Sequence, residues 1–200
     1  ISIPTFYRLK LPTLLPNVKR VIYFDCDFVV TSSLAKLFNV NMGDYPIAGV
    51  KDISKKLTKI NPNYVNAGML VMDITNLKKA EEIFLNWTKE HFDTIKLGDQ
   101  EIINEALKGK IMLVEDEWNV QSSNFTNRSS YTRTPKAIHF VAKKKPWHYA
   151  SFSVHRPLYF KYLQLTPWKL SEKDLKHWTH DNQIASLIEY VKYRPLFLFR

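Results

Sequence analysis

The sequence predicts an α/β fold whose sheet is mixed but mostly parallel and is flanked by helices. Short apolar segments of strand character alternate with amphipathic helical segments along the chain, and this alternation is typical of such folds. The clearest strand candidate is the apolar run of residues 20–30, interrupted only by Asp25, Cys26 and Asp27. A run of this kind predicts a fully buried strand. With 200 residues, the chain is long enough to bury a substantial core.

The remaining elements follow from periodicity and from turn residues. Strands are predicted at 20–30, 47–50, 64–74, 111–114 and 137–140, and helices at 4–15, 31–38, 75–92, 97–109 and 171–193. The helix at 75–92 has Leu77, Ala80 and Phe84 at helical spacing, which indicates a face that packs on the core. Residues 66–68, Asn-Ala-Gly, are expected to form a corner that leads into the strand at 64–74.

Charge is concentrated at one end of the chain. Residues 132–200 carry 13 Lys and Arg against four Asp and Glu, and Trp, Tyr and Phe are interspersed among them. Such a segment fits a polyanion or an anionic membrane surface, or is a solvated basic face without a partner. The single cysteine, Cys26, excludes an internal disulfide framework.

The two acids near the end of the first strand are a candidate metal site. Residues i and i+2 of an extended chain point to the same side, so Asp25 and Asp27 converge there while Cys26 faces the core. Ligands of open α/β sheets bind at the carboxyl ends of strands. Two carboxylates in that position can share a divalent cation. The alternative is a strand that ends in two exposed acids.

Three further polar groups are expected at the same edge of the sheet. They are Asn66-Ala67-Gly68, Asp99-Gln100 and His139 with Lys145. Carboxylates with one imidazole suit Mn²⁺ or Mg²⁺, and a nearby lysine adds positive charge for a diphosphate. Each group also has a structural interpretation that involves no ligand. Residues 66–68 would be a tight turn and Asp99-Gln100 a helix N-cap, while His139 would be a core residue and Lys145 a solvated lysine.

These motifs, in this order, resemble glycosyltransferase family 8, the retaining sugar transferases of the GT-A fold. Within the family, the chain resembles bacterial lipopolysaccharide galactosyl- and glucosyltransferases. The resemblance runs from Ile1 to about Trp168 and includes the opening Ile-Ser-Ile-x-Thr-x-x-Arg-Leu, the Asp-x-Asp at 25–27 and the block from His139 to Trp147. It implies that the chain lacks the N-terminal portion that binds the nucleoside in the family.

The resemblance implies roles for individual residues. Asp25, Asp27 and His139 match manganese ligands, and Lys145 matches the lysine on the UDP diphosphate. Five positions match the surroundings of the donor sugar: Arg8, Asp52, Asn66, Ala67 and Gly68. An alternative for Asp52 is an ordinary loop acid.

Three more positions match family residues that lie around the sugar and the diphosphate of the donor. Asp99 matches a contact to a donor hydroxyl, and Gln100 matches the residue beneath the anomeric carbon. Ala142 stands where the family usually has a glycine whose backbone approaches the diphosphate. A methyl group there is tolerated at negative φ but is costly at positive φ.

The implied function is metal-dependent transfer of galactose or glucose from a UDP-sugar to an oligosaccharide or glycolipid acceptor. The transfer reaction would serve lipopolysaccharide or cell-surface glycan synthesis. The enzyme would act in the cytoplasm, at the periphery of an inner membrane. Residues 1–150 would form the transferase domain and residues 151–200 a basic aromatic extension that packs on it or faces the membrane. Mn²⁺, with Mg²⁺ as the alternative, is the expected cofactor, and nucleic acid is not an expected partner.

Three rival functions remain at this stage. A non-catalytic UDP-sugar-binding relative fits the departure at Ala142. A metal-dependent nucleotidyltransferase also uses paired carboxylates. A nucleic-acid-binding module fits the basic end but leaves the acids at 25 and 27 unexplained, because carboxylates repel phosphates.

Overall fold

A computed structural model describes residues 3–122, 134–143, 145–148, 151 and 153–177. The strands of this part of the chain are β1 (Arg20–Phe24), β2 (Phe28–Val30), β3 (Ile47–Lys51), β4 (Val65–Asp73), β5 (Ile111–Leu113), β6 (Val120–Gln121) and β7 (Ala137–His139). The α-helices are α1 (Leu11–Leu14), α2 (Ala35–Phe38), α3 (Lys55–Ile60), α4 (Ile74–His91), α5 (Asp99–Ala106), α6 (Arg156–Leu163) and α7 (Glu172–Lys176). A 3₁₀ helix, Ile3–Lys10, precedes α1.

The chain divides into two compact units. The first consists of the segment up to Cys26 together with Ser32–Asn119, and the second consists of Asp27–Thr31 and the residues from Val120 onward.

The first unit is built on a four-stranded sheet in the order β1-β4-β3-β5. Strand β4 is antiparallel to both of its neighbours, and within this described sheet only β3 and β5 pair in parallel. The prediction of a mostly parallel sheet is therefore wrong for the described strands, although the α/β class and the mixed sheet are confirmed. Alternation of strands with helices does not fix strand direction when the intervening helix is short, as α3 is between β3 and β4.

Strand β4 and helix α4 supply the core of this unit. The first eight residues of β4 are buried, as expected for a central strand that is covered on both faces. Helix α4 follows directly and packs Leu77, Ala80 and Phe84 into the same core. Asp73 caps this helix by accepting a hydrogen bond from the backbone N–H of Asn76 at 3.0 Å.

Helix α5 brings its apolar face, Ile102 and Ile103, into the same core. It begins after Gly98, whose φ of 64° lies in the left-handed region that glycine tolerates. The fully buried Asn104 ties the helix to β4: its Oδ1 accepts from Val65 N at 2.7 Å, and its Nδ2 donates to the carbonyl oxygens of Val65 and Gln100 at 2.9 and 2.8 Å.

The second unit contains a three-stranded sheet in the order β2-β7-β6. Strands β2 and β7 are antiparallel, and β6 and β7 are parallel. Val29, Ile138 and Phe140 form its core, against which Leu158 and Tyr159 of α6 pack. Helix α7 starts at the predicted position, capped by Ser171, and the predicted continuation of this helix to residue 193 lies outside the described residues.

The predicted strand at 20–30 is two strands that belong to two different sheets. Strand β1 ends at Phe24, β2 begins at Phe28, and the residues between them form a turn. Strand β1 is partly buried throughout, because it lies at an edge of the described sheet. Cys26 is exposed and does not face a core. The prediction of one buried strand with Cys26 inward is therefore wrong.

In the part of the chain that is described, no helix combines the length and the apolar character that crossing a membrane requires.

Candidate functional site

In the first unit, the carboxylate of Asp25 is held by two donors. Its Oδ1 accepts a hydrogen bond from Arg8 Nη2 at 2.9 Å and another from the hydroxyl of Tyr23 at 2.8 Å. Tyr23 lies two residues before Asp25, so both side chains project to the same side of the chain as it leaves β1. Burial, together with the hydrogen bond to Asp25, raises the pKa of the Tyr23 phenol well above its usual range. Tyr23 was not among the predicted site residues, and its i−2 spacing from Asp25 was the only signal for it.

Arg8 connects Asp25 to two other predicted residues. It is 6% exposed, and its Nη1 donates to the carbonyl oxygen of Ala67 at 2.5 Å. Its Nε lies 2.8 Å from Oδ2 of Asp99. That contact is an ion pair without a hydrogen bond, because Nε donates to the carbonyl oxygen of Thr5 and Asp99 Oδ2 has no hydrogen-bond partner. A charged side chain that is buried and bridges two acids is expected to hold its geometry firmly.

Asp99 is a buried acid at the start of α5. Burial raises its pKa to about 6, and the charge of Arg8 opposes this rise without cancelling it. Gly98 occupies the N-cap position, and Asp99 is the first helical residue. The alternative reading of Asp99 as the N-cap is therefore wrong.

A network of side-chain amides and one acid lies beside Arg8. Gln100 Oε1 accepts from the backbone N–H of Ala67 at 3.0 Å, and its Nε2 donates to Oδ2 of Asp52 at 3.3 Å. Asn66 Nδ2 donates to the same oxygen of Asp52 at 3.2 Å. Asp52 Oδ1 accepts from the backbone N–H of Ser54 at 2.7 Å, which orients the acid. Asp52 is thus a buried member of the network.

Asn66, Ala67 and Gly68 lie within β4, so the predicted corner at these residues is wrong. The backbone N–H of Gly68 donates to Asn66 Oδ1 at 3.1 Å, and its carbonyl oxygen accepts from the N–H of Asp25 at 2.8 Å. Asn119, a residue that the sequence did not single out, donates to Asn66 Oδ1 at 3.1 Å. The amide of Asn66 is therefore held by partners from three segments of the chain.

In the second unit, Asp27 faces a histidine and a lysine. Its Oδ2 accepts from Lys145 Nζ at 2.5 Å, and its Oδ1 lies 3.3 Å from Nε2 of His139. This Oδ1 is buried and makes no hydrogen bond, so the contact with the imidazole is electrostatic. Phe28 stacks on the imidazole with ring centroids 4.3 Å apart. A buried carboxylate oxygen that lacks a hydrogen bond and lies beside an imidazole nitrogen is an arrangement that a shared cation would complete.

The charge state of Asp27 follows from these neighbours. Burial alone would raise its pKa, but the contacts with His139 and Lys145 lower it to about 2. Asp27 is therefore ionised at neutral pH, as a metal ligand has to be.

Ala142 adopts the backbone conformation that the sequence analysis identified as costly. Its φ is 69°, and it is the one residue other than glycine with a positive φ in the described ranges. An alanine in the left-handed region is strained by about 1–2 kcal/mol. The usual glycine of the family would carry no such strain.

The structure therefore brings the predicted residues into two groups, one in each unit. The group in the first unit is Arg8, Asp25, Asp52, Asn66, Ala67, Gly68, Asp99 and Gln100. The group in the second unit is Asp27, His139 and Lys145. Both groups hold buried or partly buried charges, which are unusual outside functional sites.

Sequence comparison identifies the class of protein. A sequence model described as glycosyl transferase family 8 matches residues 1–151. That span is well over half of the chain, so the chain belongs to glycosyl transferase family 8, and the resemblance stated from its motifs is confirmed.

Individual relatives agree with this assignment. General stress protein A of Bacillus subtilis is 29% identical over 192 residues, which cover 84% of this chain and 67% of the relative. Glycosyltransferase GlyA of Streptococcus pneumoniae is 27% identical over 183 residues, which cover 88% of this chain and 26% of that protein. The chain thus spans from about a quarter to about two thirds of the length of these relatives.

Solved structures share the fold. The galactosyltransferase LgtC, crystallised in complex with donor and acceptor sugar analogs, superposes with a TM-score of 0.72 at 21% identity, covering 86% of this chain and 70% of LgtC. The glycosyltransferase GlyE of Streptococcus pneumoniae gives a TM-score of 0.68 at 22% identity, covering 84% of this chain and 46% of GlyE. The α/β fold with mixed sheets is therefore that of the GT-A structures of family 8.

Proposed function

We propose that the protein is a metal-dependent, retaining hexosyltransferase that moves galactose or glucose from a UDP-sugar to a saccharide acceptor. The observation that carries the proposal is the buried Oδ1 of Asp27, which lacks a hydrogen bond and lies beside His139. Membership of family 8 supports the same reading.

The residues fit a divalent cation. Asp25, Asp27 and His139 each offer one ligand atom, and they form a set of two carboxylates and one imidazole. This set suits Mn²⁺ or Mg²⁺, which prefer oxygen ligands and keep positions open for other groups. When bound there, such a cation supplies Lewis-acid stabilisation of negative charge on a diphosphate.

Lys145 and the backbone at Ala142 are proposed to contact the diphosphate. The ammonium of Lys145 pairs with Asp27 Oδ2 and donates to the carbonyl oxygen of Phe140. When Asp27 binds a cation, the ammonium can turn toward a phosphate oxygen and retain a negative partner. Its charge then stabilises the UDP leaving group as the bond to the sugar breaks.

The network of the first unit is proposed to hold the donor sugar. It presents acceptors and donors from Arg8, Asp52, Asn66, Asp99 and Gln100, and these suit the hydroxyls of a hexose. In Gln100, the amide oxygen accepts from Ala67 N and the amide nitrogen donates to Asp52. An amide held in this way is a poor nucleophile, so a covalent intermediate on Gln100 is disfavoured.

The reaction is therefore proposed to proceed without that intermediate. The bond between the anomeric carbon and the β-phosphate oxygen breaks, and its electron pair stays on UDP. The acceptor hydroxyl attacks the anomeric carbon from the same side, which retains the configuration. The hydroxyl proton passes to the departing phosphate oxygen, so that no protein base is needed.

Loss of single ligands tests the proposal. Asp25→Ala, Asp27→Ala and His139→Ala should each abolish Mn²⁺-dependent release of UDP from UDP-galactose or UDP-glucose. Asp93→Ala, which removes an exposed acid of the first unit, is the matched control and should keep full turnover. Turnover by Asp25→Ala or Asp27→Ala at the level of the control would overturn the site assignment.

A basic face in the second unit is proposed to lie against an anionic membrane surface, where a glycolipid acceptor would be found. Leu165 and Trp168 are each 78% exposed, and Lys161 and Lys169 are exposed near them in the chain. Exposed apolar side chains among lysines suit an anionic lipid interface, to which each lysine contributes about 1 kcal/mol. Co-sedimentation with phosphatidylglycerol vesicles but not with phosphatidylcholine vesicles is expected, and equal binding to both would contradict this proposal.

A second candidate function is binding of UDP-sugar without transfer, which the strained Ala142 favours. The strain lies at a position that is proposed to contact the diphosphate. Calorimetric binding of UDP and Mn²⁺ with no turnover of either UDP-hexose would support this alternative, and Mn²⁺-dependent turnover by the wild-type protein would contradict it.

A further inference from the structure

Tyr23 contacts both charged partners of the Arg8–Asp25 ion pair. Its hydroxyl donates to Asp25 Oδ1 at 2.8 Å, and the centre of the Arg8 guanidinium lies 4.1 Å from the centroid of its ring. Arg8 in turn donates to the same Oδ1 at 2.9 Å. The three side chains thus form a closed triangle, in which each contacts the other two.

The tyrosine is itself firmly placed. It lies in β1, directly opposite Leu70 of the buried strand β4. Its ring is one of the partly buried groups that pack against the core of the first unit. A donor on a packed strand residue keeps its position better than one on a loop, because neighbouring side chains restrict its rotamer.

The two hydrogen bonds on one oxygen restrict the carboxylate of Asp25. They come from donors on different segments, the 3₁₀ helix Ile3–Lys10 and strand β1. Rotation of the carboxylate breaks at least one of them. Hydrogen bonds to a ligating carboxylate orient it, and their loss typically weakens metal binding 10- to 100-fold.

The stacking on Arg8 extends this restraint to the donor-sugar network. Arg8 also donates to the carbonyl oxygen of Ala67 and pairs with Asp99. A cation over the face of a tyrosine ring is attracted by it, and partial burial strengthens that attraction. One aromatic side chain thereby supports an ion pair that links Asp25 to Asp99.

We propose that Tyr23 is a positioning residue, which holds Asp25 in the orientation for cation binding and Arg8 in the orientation for contact with the sugar donor. The inference rests on the proposed function, because it takes Asp25 to be one of the metal ligands named there. The hydroxyl acts on Asp25, and the ring acts on Arg8. The two effects can therefore be separated by substitution.

Tyr23→Phe removes the hydroxyl and keeps the ring. The dissociation constant for Mn²⁺, measured by electron paramagnetic resonance of free Mn²⁺, should rise 10- to 100-fold. The melting temperature of the metal-free protein should stay close to that of the wild type. Tyr23→Leu, which also removes the ring, should in addition weaken binding of UDP-galactose or UDP-glucose at saturating Mn²⁺. Tyr45→Phe removes the hydroxyl of an exposed tyrosine and should change neither constant.

The outcomes distinguish this inference from the proposed function. If the wild type binds Mn²⁺ and Tyr23→Phe binds it equally well, Tyr23 does not position Asp25 and the inference is overturned. If Tyr23→Phe melts at a much lower temperature without metal, the hydroxyl serves folding, and this also overturns it. If the wild type itself does not bind Mn²⁺, the proposed metal site fails, and the inference fails with it.

Discussion

Lys145 and Asp27 form the shortest ion pair of the candidate site, with 2.5 Å between Nζ and Oδ2. The lysine side chain is 22% exposed and the aspartate 12%, so water screens this pair only in part. The same ammonium donates to the carbonyl oxygen of Phe140 at 2.6 Å. Without a cation, Lys145 therefore adds to the contact with His139 that keeps the partly buried Asp27 ionised.

Lys145→Met should lower the free energy of unfolding of the metal-free protein by about 1–3 kcal/mol, because it leaves an oxygen of a partly buried carboxylate without its donor. Urea denaturation measures the effect. A double-mutant cycle with Asp27→Asn should recover part of the loss, since the neutral amide no longer needs a cation. Lys143→Met, at an exposed lysine two residues away, is the control and should be nearly neutral. Strictly additive effects in the cycle would contradict the coupling.

The sequence predicted a pair of acids at Asp25 and Asp27, but it did not predict that they lie at a turn between two strands. The apolar residues on both sides predicted burial, and nothing in their hydrophobicity shows that the chain turns between them. The two acids are what breaks the strand, since charged side chains are costly to enclose within a continuous buried run. The outcome is a turn between strands of two sheets, with Cys26 exposed.

Ala142→Gly should stabilise the protein by about 0.5–1 kcal/mol. Relief of the left-handed strain is worth about 1–2 kcal/mol, and the greater freedom of glycine in the unfolded chain offsets about half of it. Thermal and urea unfolding of the metal-free protein measure the change. An unchanged or lower stability would show that the positive φ at Ala142 is not strained.

The reverse substitution at a comparable glycine calibrates that prediction. Gly109 has a φ of 76°, and an added Cβ would meet no atom within 4 Å. Gly109→Ala therefore introduces backbone strain without a clash and should destabilise by about 1 kcal/mol. Opposite signs at Gly109 and Ala142 are expected from the same conformational cause.

Asn104→Ala should destabilise the protein by about 3 kcal/mol or more. The side chain is fully buried and makes three hydrogen bonds, and its loss leaves backbone groups of Val65 and Gln100 without those partners. Asn39→Ala removes an exposed amide that donates to the carbonyl oxygen of Ala35 at 2.9 Å, and it should cost about 0.5 kcal/mol or less. Similar unfolding energies for the two variants would contradict the role assigned to Asn104.

The roles of Asn104 and Tyr23 could not be predicted from the sequence. Neither belongs to a motif, and each has a partner distant in the chain, Val65 for Asn104 and Arg8 for Tyr23. Periodicity placed each on a helix or a strand, but a hydrogen bond across 39 residues has no local signature. By contrast, the residues predicted for the donor sugar came together because adjacent strand and helix ends place them there.

The stability of the protein between pH 4 and pH 7 should contain a component from Asp99. Its pKa is about 6 in the folded protein, above its ordinary value of 3.8, because burial disfavours the charge. The folded state thus binds the proton more tightly than the unfolded state. This component is fully present below about pH 4 and is lost as the pH rises through 6.

Asp99→Asn should remove that component, so the difference in unfolding free energy between variant and wild type should change by about 1–3 kcal/mol across this range. Asp27 is present in both the variant and the wild type, so its contribution cancels in this difference. Urea denaturation at pH 4, 5, 6 and 7 measures the difference, and Asp44→Asn, at an exposed acid, is the control. If the curves for Asp99→Asn and the wild type run parallel across these pH values, Asp99 is charged throughout. The ion pair with Arg8 would then outweigh the burial of Asp99.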